Sequence, residues 1–193
     1  MRIEGLTKAY GEKIILQDFT LELPERGVVC LLGPSGCGKT TLLHLLAGLI
    51  PADGGRVVGL PGPLSMVFQE DRLLPWLTCQ ENIALVGVSR DAARRALEAV
   101  GLFGQEGVYP DALSGGMRRR VALARALAAP HGALLLDEPF KGLDRATQQP
   151  LLEQVRAHGE EHLVLAVTHD PWQVDALGAM AVRLSGPPLR LER

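Results

Sequence analysis

Two hydrophobic periods take turns along this chain. Phe19-Thr20-Leu21-Glu22-Leu23 alternates apolar and polar side chains, the period of a half-buried strand. Pro24 to Gly27 turns, and Val28-Val29-Cys30-Leu31-Leu32 is apolar throughout, as in a strand covered on both faces. A helical pattern runs from Thr41 to Leu49. Pro51 to Gly55 is a turn cluster, Arg56-Val57-Val58 a short strand, and Leu64 to Phe68 a further apolar run. From Glu70 to Asp111 the strand signal nearly vanishes. There Ser89 is placed to cap a helix whose apolar positions Ala93, Ala96, Leu97 and Val100 share one face, with Gly101 at its end. Ser114 caps the next helix, which carries Met117, Val121, Ala124 and Ala128 on one face and stops before Pro130. Ala133-Leu134-Leu135-Leu136 and Leu163 to Val167 are two more apolar runs of strand length. Strands alternating with helices predict an α/β fold around a mostly parallel sheet, with no internal repeat.

Composition narrows this picture a little. A chain of 193 residues predicts one domain, or one domain with a small insertion, and 47% hydrophobic with 22% charged residues is ordinary for a packed core. The formal net charge of −2 argues against a nucleic-acid partner. Cys30, Cys37 and Cys79 form no C-x-x-C pair, which fits a reduced, cytosolic setting. No apolar run reaches the ~18 residues needed to cross a bilayer, and Met1 to Gly5 lacks the apolar core of a signal peptide. The expectation is a soluble chain that reaches a membrane only through a partner.

The chemistry is concentrated in a few places. Gly33-Pro34-Ser35-Gly36-Cys37-Gly38-Lys39-Thr40 matches the phosphate-cradling pattern G-x-x-x-x-G-K-[ST] and lies between a strand and a helix, where that loop belongs. Glycines at 36 and 38 let backbone N–H groups approach a triphosphate. The helix opening near Lys39 adds its positive dipole end. Lys39 supplies a mobile charge to the β- and γ-phosphates, and the Thr40 hydroxyl is suited to Mg²⁺. Gly33 through Thr40, with Thr41, are therefore the candidate nucleotide contacts, Cys37 serving as a small space-filler. Asp137 and Glu138 end an apolar strand. Beside a phosphate loop such a pair suits a magnesium ligand followed by a group that polarises water; otherwise it is a charged pair opening a loop. His169 follows the last strand, and a lone histidine there is more often structural than catalytic. In Arg118-Arg119-Arg120, two of the three read as solvated.

With these residues in this order, the chain resembles the nucleotide-binding subunits of ABC transporters from Met1 to about Ser185. Gly33–Thr40 matches the Walker A motif, Leu113-Ser114-Gly115-Gly116-Met117 the family signature, and Leu134–Glu138 Walker B. Gln69 matches the Q-loop, Asp144 the D-loop aspartate and His169 the switch histidine. Tyr10 stands where the family stacks a ring on adenine. The resemblance implies a P-loop NTPase (RecA-like) core over 1–70 and 113–193, with an N-terminal antiparallel β part, and a short helical subdomain over 71–112. It implies ATP and Mg²⁺, the metal held by Thr40, Gln69 and Asp137, with Glu138 and His169 catalytic. It also implies an ATP-dependent homodimer in which Ser114, Gly115 and Gly116 face the γ-phosphate bound by the other copy. The implied partners are integral membrane permease subunits at the cytoplasmic face of the membrane and an external solute-binding protein; nucleic acid is not among them.

Met66–Glu70, Leu73–Thr78, Glu81–Ile83 and Met117 resemble importers of nitrate, sulfonate, taurine and related small anions, or of thiamine-type precursors. An exporter, a cell-division-type subunit and a soluble ABC ATPase remain as alternatives. A P-loop kinase or switch GTPase does not explain Leu113–Met117. The sequence departs from the family at Phe140-Lys141-Gly142-Leu143-Asp144, where a small residue and Ala usually precede Leu-Asp; Lys141 thus brings a charge close to the implied interface, and reduced activity is one expectation. The helical insertion is short, and no regulatory domain is expected after His169. The apolar cluster Leu73, Leu74, Trp76 and Leu77 has two readings: it fills the insertion's own core, or part of it is an exposed docking patch.

Overall fold

In the computed structural model, which describes residues 1–192, the chain forms two sheets. β1 (Arg2–Tyr10), β2 (Lys13–Glu22) and β4 (Gly54–Val58) make an antiparallel sheet in the order β2-β1-β4. The larger sheet contains β3 (Gly27–Leu32), β5 (Leu64–Val67), β6 (Ala133–Asp137), β7 (Leu163–Val167), β8 (Met180–Ser185) and β9 (Arg190–Leu191). Its order is β5-β6-β7-β3-β8-β9, parallel except for the antiparallel β9. The helices are α1 (Lys39–Leu46), α2 (Cys79–Ala84), α3 (Arg90–Ala99), α4 (Gly115–Ala128), α5 (Arg145–Glu161) and α6 (Pro171–Leu177).

The apolar runs form the central strands because both faces of the larger sheet are covered. Val28, Cys30, Leu134, Leu136, Val164 and Ala166 contribute to one buried cluster, which also takes in Ile83, Leu97, Val121 and Leu152 from the helices. Val29, Leu31, Leu135, Leu165 and Val167 belong to a second, with Leu42 and Leu43 of α1 and Ile3 and Phe19 of the antiparallel sheet. Each fully buried Leu or Val contributes roughly 1.5–3 kcal/mol of transfer free energy.

The expected elements differ mainly at their ends. The first helix stops at Leu46, before Gly48 at φ 67°, rather than running to Leu49. The strand read at Phe19 begins earlier, at Lys13. Ser89 and Ser114 are N-caps, each accepting a backbone N–H three residues on. Between 71 and 112, α2 starts at a reciprocal cap between Thr78 and Glu81, and α2 and α3 pack on α4. Among the described residues no helix is long and apolar enough to cross a membrane.

Candidate active site

Parallel strands place the candidate residues together. β6, β7 and β3 are neighbours, and Asp137, Val167 and Leu31 lie in register across them. The segments after β5, β6, β7 and β3 therefore leave one edge of the sheet: Gln69, Glu138, His169 and the phosphate loop. In that loop Gly36 and Gly38 have φ of 80° and 118°, conformations that side chains with a Cβ rarely adopt. Among the described residues no side chain caps the N-terminus of α1, so its first N–H groups remain for an anion. Lys39, 8% exposed, donates at 2.8 Å to the carbonyls of both Gly33 and Pro34. Cys37 is buried, its Sγ 3.7 Å from the Lys39 ammonium.

Ser35, Gly36, Gly38, Lys39, Thr40 and Thr41 line a cavity of about 270 Å³ together with Gln69, Asp137 and Glu138. Lys13 and Ile15 of β2 and Val167 of β7 complete it, three contributors missed by motif reasoning. Tyr10 does not line this cavity. It stands half-exposed at the end of β1, paired with Lys13 across the hairpin, with Lys8 Nζ 5.6 Å from its ring centre.

Asp137 is 1% exposed, and among the described residues its Oδ2 has no hydrogen-bond partner. Burial raises its carboxyl above the usual carboxylate range, and a hydrogen bond from Thr40 partly opposes this. A buried carboxylate oxygen with free lone pairs, beside a threonine hydroxyl and a glutamine amide, is an oxygen donor set that fits Mg²⁺.

Glu138 adopts φ 49°, unusual for a side chain of its size. Its N–H donates to Val167 O at 3.1 Å, and its carbonyl accepts from Arg119 at 2.5 Å. Its Oε2 accepts from Lys141 Nζ at 2.7 Å, and its Oε1 lies 3.9 Å from His169 Nδ1. The His169 side chain is 75% exposed.

The arginine run is not a solvated face. Arg118 donates to Leu113 O, and Arg120 to the carbonyls of Val100 and Gly101. Arg119 is 4% exposed and reaches Phe68 O at 2.6 Å, Asp137 O at 2.7 Å, Glu138 O at 2.5 Å and Pro139 O at 3.1 Å, with longer contacts to Gln69 O and Asp71. One guanidinium thus ties the segment after β5 to the segment after β6. Its periodicity offered a signal: Arg119, Ala122, Leu123 and Ala126 form a second buried stripe of α4.

Ser114, Gly115 and Gly116 open α4 and do not line the phosphate-loop cavity of their own chain. Gly115 and Gly116 border a separate hollow with Gln69, Asp71, Arg119, Lys141 and Gly142. Asp144 caps α5 through Thr147, and those hydrogen bonds hold its carboxyl below the usual range. Trp76 does not fill the core of the 71–112 segment: it is 69% exposed, while Leu73 packs against the first cluster. Asn82, fully buried, shapes this loop by donating to the carbonyls of Leu74, Leu77 and Thr78 and accepting the N–H of Leu74.

Comparison with known proteins agrees with this geometry. A family profile described as ABC transporter matches residues 16–141. The aliphatic sulfonates import ATP-binding protein SsuB of Escherichia coli (strain K12) is 45% identical over 193 residues, covering 94% of this chain and 74% of that protein. SsuB 3 of Paraburkholderia xenovorans (strain LB400), which carries the same description, is 48% identical over 173 residues, covering 87% of this chain and 70% of the relative. Among solved structures, the dimeric ATP-binding cassette MJ0796 in a post-hydrolysis state with ADP and Pi superposes with a TM-score of 0.85 at 26% identity, covering 100% of this chain and 98% of that one. With its phosphate loop, its Asp137–Glu138 pair and its signature helix α4 on this shared fold, the chain belongs to the ABC transporter family and is one of its ATP-hydrolysing cassettes.

Proposed function

We propose that this ATPase powers the import of a small anion of the sulfonate class through a membrane permease. The observation that carries the chemistry is the single cavity where Lys39, Thr40, Asp137 and Glu138 meet; the import direction and solute class are supported by the relatives described as sulfonate import proteins. Lys39 leaves its two loop carbonyls to meet the β- and γ-phosphates of ATP. Thr40, Asp137 and Gln69 hold Mg²⁺, which when bound neutralises charge developing on the phosphate oxygens. Glu138 accepts a hydrogen bond from the attacking water, and His169, exposed at the same edge, meets the γ-phosphate. The remaining loop residues from Gly33 to Thr41 supply backbone and hydroxyl donors, and Tyr10 offers its exposed ring to the base.

Ser114, Gly115 and Gly116 complete the site of a second copy, which explains why they stand outside their own cavity. The dimeric state of the MJ0796 cassette supports this pairing. The 71–112 segment acts as a helical subdomain whose Trp76 face contacts the permease, placing the subunit at the cytoplasmic side of the membrane, with an external solute-binding protein delivering the anion.

Glu138→Gln tests the assignment. ATP binding is expected to persist while turnover falls by about 10²–10⁴-fold, and size-exclusion chromatography should give a dimer in Mg-ATP and a monomer without nucleotide. Wild-type turnover, or a monomer under both conditions, refutes it.

A further inference from the structure

Lys141 stands on the turn between β6 and α5 and lines two hollows. One contains Glu138, Thr168 and His169; the other contains Gln69, Gly115 and Gly116. Its ammonium donates to Glu138 Oε2 at 2.7 Å. The other carboxylate oxygen, Oε1, faces His169 Nδ1 at 3.9 Å, beyond hydrogen-bond range. The carboxylate is thus capped by a cation on one oxygen, while its backbone is pinned by Val167 O and by Arg119.

The turn itself is held from below. Gln148 donates to Leu143 O at 2.7 Å and to Phe140 O at 3.4 Å, Gln173 donates to Gln148, and Thr168 donates to Gln173. This buried chain of polar groups links the turn bearing Lys141 to the residue before His169. Gly142, at φ 77°, is the exposed tip.

We propose that Lys141 is a latch on Glu138: in the single subunit its ammonium occupies a carboxylate oxygen that hydrolysis needs free, and displacement of the 140–143 turn releases it. The inference rests on Glu138 as the group that activates water. The occupied oxygen cannot accept a hydrogen bond from water in the same direction, so the closed latch lowers the fraction of subunits competent for hydrolysis. Lys141 also borders the hollow of Gly115 and Gly116, so a second copy of the chain seated there meets the latch directly. Lys141 is a positioning residue and touches no reacting atom.

The Lys141 side chain is 55% exposed, so its replacement leaves the core intact. Lys141→Met is expected to raise kcat of the purified subunit roughly two- to fivefold, the reach of an exposed ion pair, with KM for ATP and fluorescent-nucleotide affinity unchanged. Lys141→Arg restores the pair and returns kcat to the wild-type value. In a Glu138→Gln background Lys141→Met gives no gain, because the two residues act as a unit. An unchanged or lower kcat in Lys141→Met overturns the latch. So does a higher KM, which would put Lys141 on the nucleotide instead. If Glu138→Gln alone keeps wild-type turnover, the water-activating assignment fails and takes the latch with it. If Glu138→Gln is inactive but Lys141→Met gains nothing, only the latch fails.

Discussion

Arg119→Met keeps most of the aliphatic stem and deletes the guanidinium. Four carbonyls at 2.5–3.1 Å, those of Glu138, Phe68, Asp137 and Pro139, then lose their donor at a site 4% exposed. Hydrogen bonds to a charged group contribute about 1.5–3 kcal/mol each, so the ceiling is roughly 6–12 kcal/mol. Water entering beside Asp71 and local relaxation recover part of this. The expected loss is about 3–5 kcal/mol, the usual cost of removing one partner from a buried charged network. For a chain of this size each kcal/mol lowers Tm by about 2–4 °C. Thermal unfolding followed by far-UV circular dichroism should therefore show a fall of about 6–20 °C. Arg119→Lys keeps a charge but cannot span both segments, so it falls in between. Arg118→Met, which removes the one contact to Leu113 O, serves as the comparison and should shift Tm by only a few degrees. An Arg119→Met protein that melts within about 2 °C of wild type would show that the buried contacts contribute nothing net, and the reasoning would be wrong.

Two further outcomes are expected. Trp76→Ala combined with Leu74→Ser leaves ATP binding of the isolated subunit intact and abolishes co-purification with the permease and transport in cells; normal permease binding, or an unfolded double variant, would mean the loop is not the docking patch. His131 is half-buried among His158 and His162, its Nε2 without a hydrogen-bond partner among the described residues, and burial holds its pKa below the ordinary histidine value. The unfolded chain then binds this proton more readily than the folded one, so stability is complete above about pH 6.5 and falls as pH drops through that value toward the folded pKa. Urea midpoints should decline between about pH 7.5 and pH 5.5, and less in His131→Asn; equal declines in the two proteins would remove His131 as the cause.

The parts of the fold legible in the sequence are those where local chemistry and burial coincide. β3, β6 and β7 are continuous apolar runs because the sheet is covered on both sides, and the phosphate loop is one contiguous string. β1 was not legible. Its pairing with β2 shifts register three times, which breaks the period-two signal. α5 hides behind Pro150 in its interior and Gly159, the latter at a place where a Cβ would come within 2.6 Å of Val28. In the site, the strand-end positions of Asp137 and Glu138 followed from the pattern, because parallel strands bring their ends to one edge. Lys13 and Arg119 did not, because their partners are far away in the chain. Arg119 reaches Phe68 across 51 positions, and three consecutive arginines look alike until the buried stripe of α4 separates them.

The contacts that converge on Glu138 answer differently to ionic strength. Lys141 and Glu138 form an ion pair at 2.7 Å whose cation is 55% exposed, and salt weakens it as the Debye length shrinks from about 8 Å at physiological concentration to about 3 Å at about 1 M. Arg119 holds the Glu138 carbonyl from inside the protein, balanced by peptide dipoles, where mobile ions do not reach. Rising salt therefore loosens the Glu138 side chain while its backbone stays fixed. Electrolyte concentration acts on the Glu138 carboxylate without disturbing the backbone frame that carries it.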